Sequence, residues 1–254
     1  MARLCDAIDD QVNFGSDAAT DQLVAFTAMA LVYLGSTISA EQCVLTKFTS
    51  GYIGKMQLFF AGSGNNVLGC YMNRSGGNDC YAFSNANAIS NTTWSVIVST
   101  WAGSGAAPKL YACALGGTLA ELSYGSTNIG SGSFWDDSPA SLRLGTRDAG
   151  DSWFAHTLAD FGYWNRVLNS TELADLGLGY SPEFIPSGLV KSSRITGSAS
   201  PEIDFVGGTN GTVTGTTLVT HPSVIYPGGG SDPEGGVIGG KLFHSLLTGG
   251  VLVR

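Results

Sequence analysis

Two short stretches of this chain set an indole beside carboxylates: Trp135-Asp136-Asp137, and Trp153 with Asp148 and Asp151. An exposed aromatic plate next to hydrogen-bonding groups has the composition that holds a sugar ring. The indole takes the apolar face and the acids take the hydroxyls. The same carboxylates have a second use, because loop aspartates with carbonyl oxygens make the hard-oxygen sites that calcium requires. They have a plainer third use as turn residues that bond their own backbone. Acid–base chemistry is poorly supplied. The glutamates Glu41, Glu121, Glu172, Glu183, Glu202 and Glu234 are scattered, and so are His156, His221 and His244. His156 sits between Phe154 and Leu158, the setting of a satisfied, partly buried imidazole. No G-x-S-x-G elbow, H-E-x-x-H pair or phosphate loop occurs. The chain therefore reads as non-catalytic.

Composition narrows the partners. Net charge is -8, charged residues make up 13%, and no Lys/Arg run occurs, which argues against nucleic acid and anionic membrane. The apolar run Leu23 to Leu34 is shorter than the ~20 residues a spanning helix needs. Asp6, Asp9, Asp10, Asp17 and Asp21 precede it where a signal peptide would carry basic residues, so no secretion is expected. The five cysteines, Cys5, Cys43, Cys70, Cys80 and Cys113, leave at least one thiol free. They form no C-x-x-C, which removes zinc-ribbon and dithiol readings. A Cys70–Cys80 bridge across a hairpin is conceivable, but buried free thiols are the expectation.

The elements that must position these residues are strands. Cys43 to Phe48 with Met56 to Phe60, and Val67 to Met72 with Cys80 to Phe83, read as hairpins around Gly- and Asn-containing turns. Trp94 to Trp101 alternates, with Trp94, Val96 and Val98 on one face and Ile97 on the other. Leu142 to Leu144 is a short strand and Phe154 to Trp164 a long aromatic one. A helix follows, capped by Asn169 or Ser170, with Glu172 in its first turn. Leu173, Leu176 and Leu178 are expected to face inward, and Gly177 or Gly179 to end it. Thr209 to Leu218 alternates over an Asn210-Gly211 turn.

The segment Leu158-Ala-Asp-Phe-Gly-Tyr-Trp164-Asn165-Arg166-Val-Leu168, followed by Thr171, Glu172 and Leu176, resembles the closing strand, W-N-R-x-L turn and short helix of laminin G-like domains. These belong to the concanavalin A-like lectins and glucanases. Trp94 to Trp101 and Lys109 to Gly117 resemble two further strands of that family. The resemblance implies an all-β, concanavalin A-like jelly-roll β-sandwich with one short helix. It also implies a structural calcium held by an acid at the start of the closing strand, which here is Asp160, since Ala159 replaces the usual first acid. The paired glutamates of the family's glucanases are missing, which again implies no catalysis.

Residues 1–20 are expected to form an acidic segment with a first strand at Val12 to Gly15, and 21–185 the jelly roll. Residues 186–226 are expected to add strands to it, because about 40 residues are too few to fold alone. From Pro227 the composition shifts to PGGGSDPEGG and then to a Gly-rich arm over 227–254. Its apolar pairs Val237-Ile238, Leu242-Phe243, Leu246-Leu247 and Val251-Leu252 read as anchors that dock on a neighbouring subunit. The tract Gly179-Tyr-Ser-Pro182, Pro201-Glu-Ile-Asp204, Thr212-Val-Thr-Gly215 and His221-Pro222 resembles laminin G-like proteins of tailed bacteriophages. That resemblance implies a virion structural protein, such as a capsid decoration or head/tail accessory, made in the host cytoplasm. Its partners would be a major capsid or other virion protein and further copies of itself. The alternative expectation is a lectin-like module that binds a surface glycan through the loop tryptophans.

Overall fold

Apolar residues at every second position give the middle of the chain two-faced strands, which must bury one face on a partner sheet. The computed structural model describes residues 1–6, 8–49, 53–62, 64–147, 151–197 and 200–227. In chain order its strands are β1 (Ala2–Leu4), β2 (Gln11–Asn13), β3 (Phe26–Tyr33), β4 (Gln42–Thr49), β5 (Ile53–Ala61), β6 (Val67–Met72), β7 (Cys80–Ser84) and β8 (Trp94–Trp101). They continue as β9 (Lys109–Ala114), β10 (Ala120–Glu121), β11 (Tyr124–Asn128), β12 (Leu142–Leu144), β13 (Thr157–Trp164), β14 (Leu189–Ser193), β15 (Thr212–Thr214) and β16 (Thr217–Val219). One sheet runs β10-β9-β8-β3-β13-β1-β16, with β14 also on β13; the other runs β11-β7-β6-β5-β4-β12-β2-β15. Every strand pairing is antiparallel, so the fold is an all-β jelly-roll sandwich. Among the described residues its one α-helix is α1 (Ser170–Gly177).

The first sheet is buried on both faces, which is why β3 does not alternate with polar residues. Phe26, Ala28, Ala30 and Val32 enter the core between the sheets, with Phe14, Leu58, Phe60, Phe154, Phe161 and Tyr163. Met29 and Leu31 point the other way, into a second core with Val96, Val98, Trp164, Leu173 and Leu176 beneath α1. Leu178 is not part of it. It is 54% exposed, because α1 ends at Gly177 and Gly179 (φ 93°) turns the chain away.

The W-N-R-x-L turn is explained by its bonds. Trp164 Nε1 donates to Ile185 O at 2.8 Å, and Arg166 donates to both carboxylate oxygens of Glu172 at 2.8 and 2.6 Å. Asn169 caps α1, accepting from Thr171 N and Glu172 N, and Glu172 closes the capping box on Asn169 N.

The first two strands and the strands after α1 close the sandwich together. β14 pairs with the second half of β13, while β1 takes its start. β15 joins β2 in one sheet and β16 joins β1 in the other. The alternating stretch Thr209 to Leu218 is therefore split between the two sheets. The turn lies at Gly215 (φ 74°), and the chain there crosses between sheets. Three ion pairs accompany this closure: Arg3–Glu202, Lys191–Asp17 and Lys191–Asp204. All five cysteines are free thiols, four of them buried.

Candidate functional site

The second sheet has only one face in the core. On β5, β6 and β7, Met56, Leu58, Phe60, Leu68, Cys70, Met72, Cys80 and Ala82 point inward. The alternate positions therefore form the outer face. Register places them in two rows. Phe59 pairs with Gly69, which pairs with Phe83; Gln57 pairs with Tyr71, which pairs with Tyr81. Gly69 is what lets the first row close up, because a β-carbon there would sit 2.8 Å from Phe59 Cζ. The Phe59 ring instead lies over the glycine and meets Phe83 edge-on, with centroids 5.6 Å apart. Tyr71 and Tyr81 stack at 6.2 Å with planes 7° apart, and Tyr81 meets Phe83 at 5.4 Å. Phe59 itself is covered, 3% exposed, so Tyr71, Tyr81 and Phe83, each partly exposed, form the surface of an aromatic platform over it.

A pocket of about 190 Å³ opens on this platform, lined by Gln57, Phe59, Tyr71, Asn73 and Phe83 and walled by Glu41 and Arg147. Arg147 grips Asp151 through two bonds, Nε at 3.2 Å and Nη2 at 2.7 Å, and Glu41 through Nη1 at 2.8 Å. Those bonds, the one to Asp151 foremost, hold the guanidinium pKa above its usual value. Ser152 Oγ also donates to Glu41, at 3.1 Å. On the far side the Tyr71 hydroxyl donates to Asp79, whose other oxygen accepts from Arg74 N at 2.6 Å. The site is an aromatic floor with buried amides and a charged wall of Glu41 and Arg147, and Arg147 also holds Asp151 outside the lining.

The sequence-level candidates fall in separate places. Asp151 is exposed and bonded to Arg147 but does not line the pocket, and Trp153 is half-buried two residues on. Asp148 lies outside the described residues, as do Val237, Ile238, Leu242, Phe243, Leu246, Leu247, Val251 and Leu252 of the arm. Trp135 is 40% exposed. Its neighbour Asp137 is only 1% exposed and accepts from Gln22 N and Nε2, while Asp136 accepts from Gln22 Nε2 and Ser138 N. Both acids thus serve to lock the loop against Gln22, a left-handed residue (φ 51°).

Asp160 occupies a β-bulge in β13 and is fully buried, with the Tyr226 hydroxyl as its polar neighbour. Burial, reinforced by Glu183, pushes its carboxyl up to about 8, so it favours the neutral acid at pH 7. His156 is buried; its Nδ1 accepts from Gly35 N at 3.3 Å, and its ring meets Phe154 edge-on. The residues missed at the sequence level are Gln57, Phe59, Tyr71, Tyr81 and Phe83. Their signal was the period-two placement of aromatics on the polar phase of three adjacent strands, but only register shows that they meet.

No family model matches the chain, and no curated protein matches it in sequence. Among solved structures it is similar to a candidate carbohydrate-binding protein from Bacteroides ovatus, with a TM-score of 0.59 and 18% identity. The match covers 87% of this chain and 60% of that protein, so the chain spans well under two thirds of its length. The IT-sialidase CBM40 of Ruminococcus gnavus is a more distant likeness (TM-score 0.43, 16% identity, 70% of this chain and 98% of that one). So is tailspike protein 2 of the Escherichia coli O157:H7 bacteriophage CAB120 (TM-score 0.49, 12% identity, 76% and 26%). The Bacteroides likeness is one of fold, and it agrees with the jelly-roll sandwich built up above from strand order and register.

Proposed function

We propose that the chain is a non-catalytic, lectin-like module that binds carbohydrate on the outer face of its second sheet. The observation that carries this reading is the platform of Tyr71, Tyr81 and Phe83 over the buried Phe59, with Glu41 and Arg147 at its pocket. The C–H faces of a pyranose stack on the partly exposed rings, and the charged wall takes its hydroxyls. Glu41, the wall carboxylate, is bonded to Arg147 and so engaged in structure, with no second lining carboxylate to make an acid and nucleophile pair. The Bacteroides likeness supports the scaffold, and that protein's candidate carbohydrate binding is in keeping with the ligand class. The test is glycan-array binding followed by calorimetry on the full chain and on Phe83→Ala and Tyr81→Ala. Wild-type binding that drops tenfold or more in folded variants supports the site. Binding that persists undiminished in both, or no glycan bound by the wild type, refutes it.

A virion accessory role, with a capsid protein or sister subunits as partners, is compatible with glycan binding and rests on the arm sequence and the phage-like tract. Light scattering of the full chain against a version ending at Tyr226 tests the arm. Loss of a discrete oligomer on truncation supports it. No helix among the described residues is long and apolar enough to cross a membrane.

A further inference from the structure

The loop between β1 and β2 carries Asp6, Asp9 and Asp10, and one carboxylate oxygen from each lies within 4.8 Å of the other two. Among the described residues no lysine or arginine is ion-paired with any of the three. Asp10 is the telling member. It is 1% exposed, and its Oδ1 is buried without a hydrogen-bond partner, while its Oδ2 accepts from Asp6 N. A buried carboxylate oxygen facing two other carboxylates is costly unless something positive completes the group.

The facing element leaves room for the acids. A β-carbon on Gly215 would collide with Asp9 Oδ1 and with Asp10 Oδ1 alike, so the two oxygens converge over a residue that has no side chain. Gly215 is the turn between β15 and β16, where the chain crosses from the second sheet to the first. The loop with the three acids is the crossover from β1 to β2, in the opposite direction. The two crossovers abut at one edge of the sandwich.

We infer that Asp6, Asp9 and Asp10 form a calcium site in the β1–β2 crossover, against the turn at Gly215. Ligand oxygens around calcium stand about 2.3–2.6 Å from the ion, so opposite ligands are about 5 Å apart, and the present spread fits inside that limit. Three monodentate carboxylates leave the remaining positions to water. Magnesium, at about 2.0–2.1 Å and strictly octahedral, fits a looser, partly exposed triad less well. The site is separate from Asp160 and from the aromatic face, and its role is to order the β1–β2 crossover.

The test is calorimetric titration of the chelator-treated full chain with calcium chloride, paired with thermal unfolding with and without the ion. Wild type is expected to bind one calcium at this site and to unfold at a higher temperature when loaded. Asp9→Asn, at an exposed position that leaves folding intact, should weaken calcium binding at least tenfold, and Asp9→Asn/Asp10→Asn should abolish the thermal response. Asp160→Asn should keep both. The inference is overturned if wild type binds no calcium, or if the double variant retains the full response while Asp160→Asn loses it.

Discussion

Replacing Lys191 by Met tests whether the strands after α1 are integral to the sandwich. The Lys191 side chain is 0% exposed, and its ammonium lies 2.8 Å from Asp17 Oδ2 and 3.0 Å from Asp204 Oδ2. The Asp204 side chain is also fully buried, whereas Asp17 reaches solvent. Met keeps the length and the apolar stem and removes only the charge, leaving Asp204 facing Asp17 with no cation between them. Breaking one partner of a buried pair costs ~3–5 kcal/mol. Three backbone donors, Ser192 N, Val206 N and Gly208 N, still bond Asp204 and favour the lower end, about 3 kcal/mol. For a chain of this size that is a fall of about 6–12 °C in Tm.

The pH dependence has a definite sign. The bond from Lys191 holds Asp17 below the usual aspartate range. Its contribution is therefore present above the unfolded value of about 3.9 and is lost as pH falls through the folded value. The gap between wild type and variant should accordingly narrow in acid. Thermal unfolding followed by tryptophan fluorescence at neutral pH and below pH 4 measures both quantities. A loss under about 1 kcal/mol, the size of a surface pair, would refute the reasoning.

Other outcomes are expected on the same grounds. Asn169→Ala removes both side-chain bonds that cap α1 and should cost about 1 kcal/mol, read by urea denaturation. Gly69→Val should disrupt the aromatic row by displacing the Phe59 ring, reducing glycan binding more than stability; equal losses in both would argue against a platform role. His156 is held neutral by burial, its pKa lowered. Because the unfolded chain then binds the proton more readily, stability should decline as pH falls below about 6.5 and level off below the folded value. His156→Phe should flatten that decline, and an unchanged profile would show that another group causes it.

The strands β4 to β9 were legible because each is short, alternating and bounded by Gly, Asn or Ser turns, so period two and turn chemistry agree. The end of β13 and α1 were legible because Arg166, Asn169 and Glu172 lie within seven residues and satisfy one another locally. Where partners are remote, reading the chain locally failed. β1 carries Arg3, a charged residue that looks like surface until Glu202 is set beside it. The Thr209 to Leu218 alternation indicated strands but not their partners: β15 and β16 pair with β2 and β1, because the sandwich offered two open edges.

The candidate site divides along the same line. Local sequence picked out the indoles and their neighbouring acids, since composition within a few residues is all it can weigh. It could not see that Asp136 and Asp137 are spent on Gln22, or that Phe59, Tyr71, Tyr81 and Phe83 come from three strands to form one platform. What the sequence by itself determined was which residues alternate, turn and cap, because those choices depend on neighbours along the chain. What only the tertiary structure decided was register and sheet order. These set which side chains share a face, and they follow from burying the two cores together rather than from any one segment.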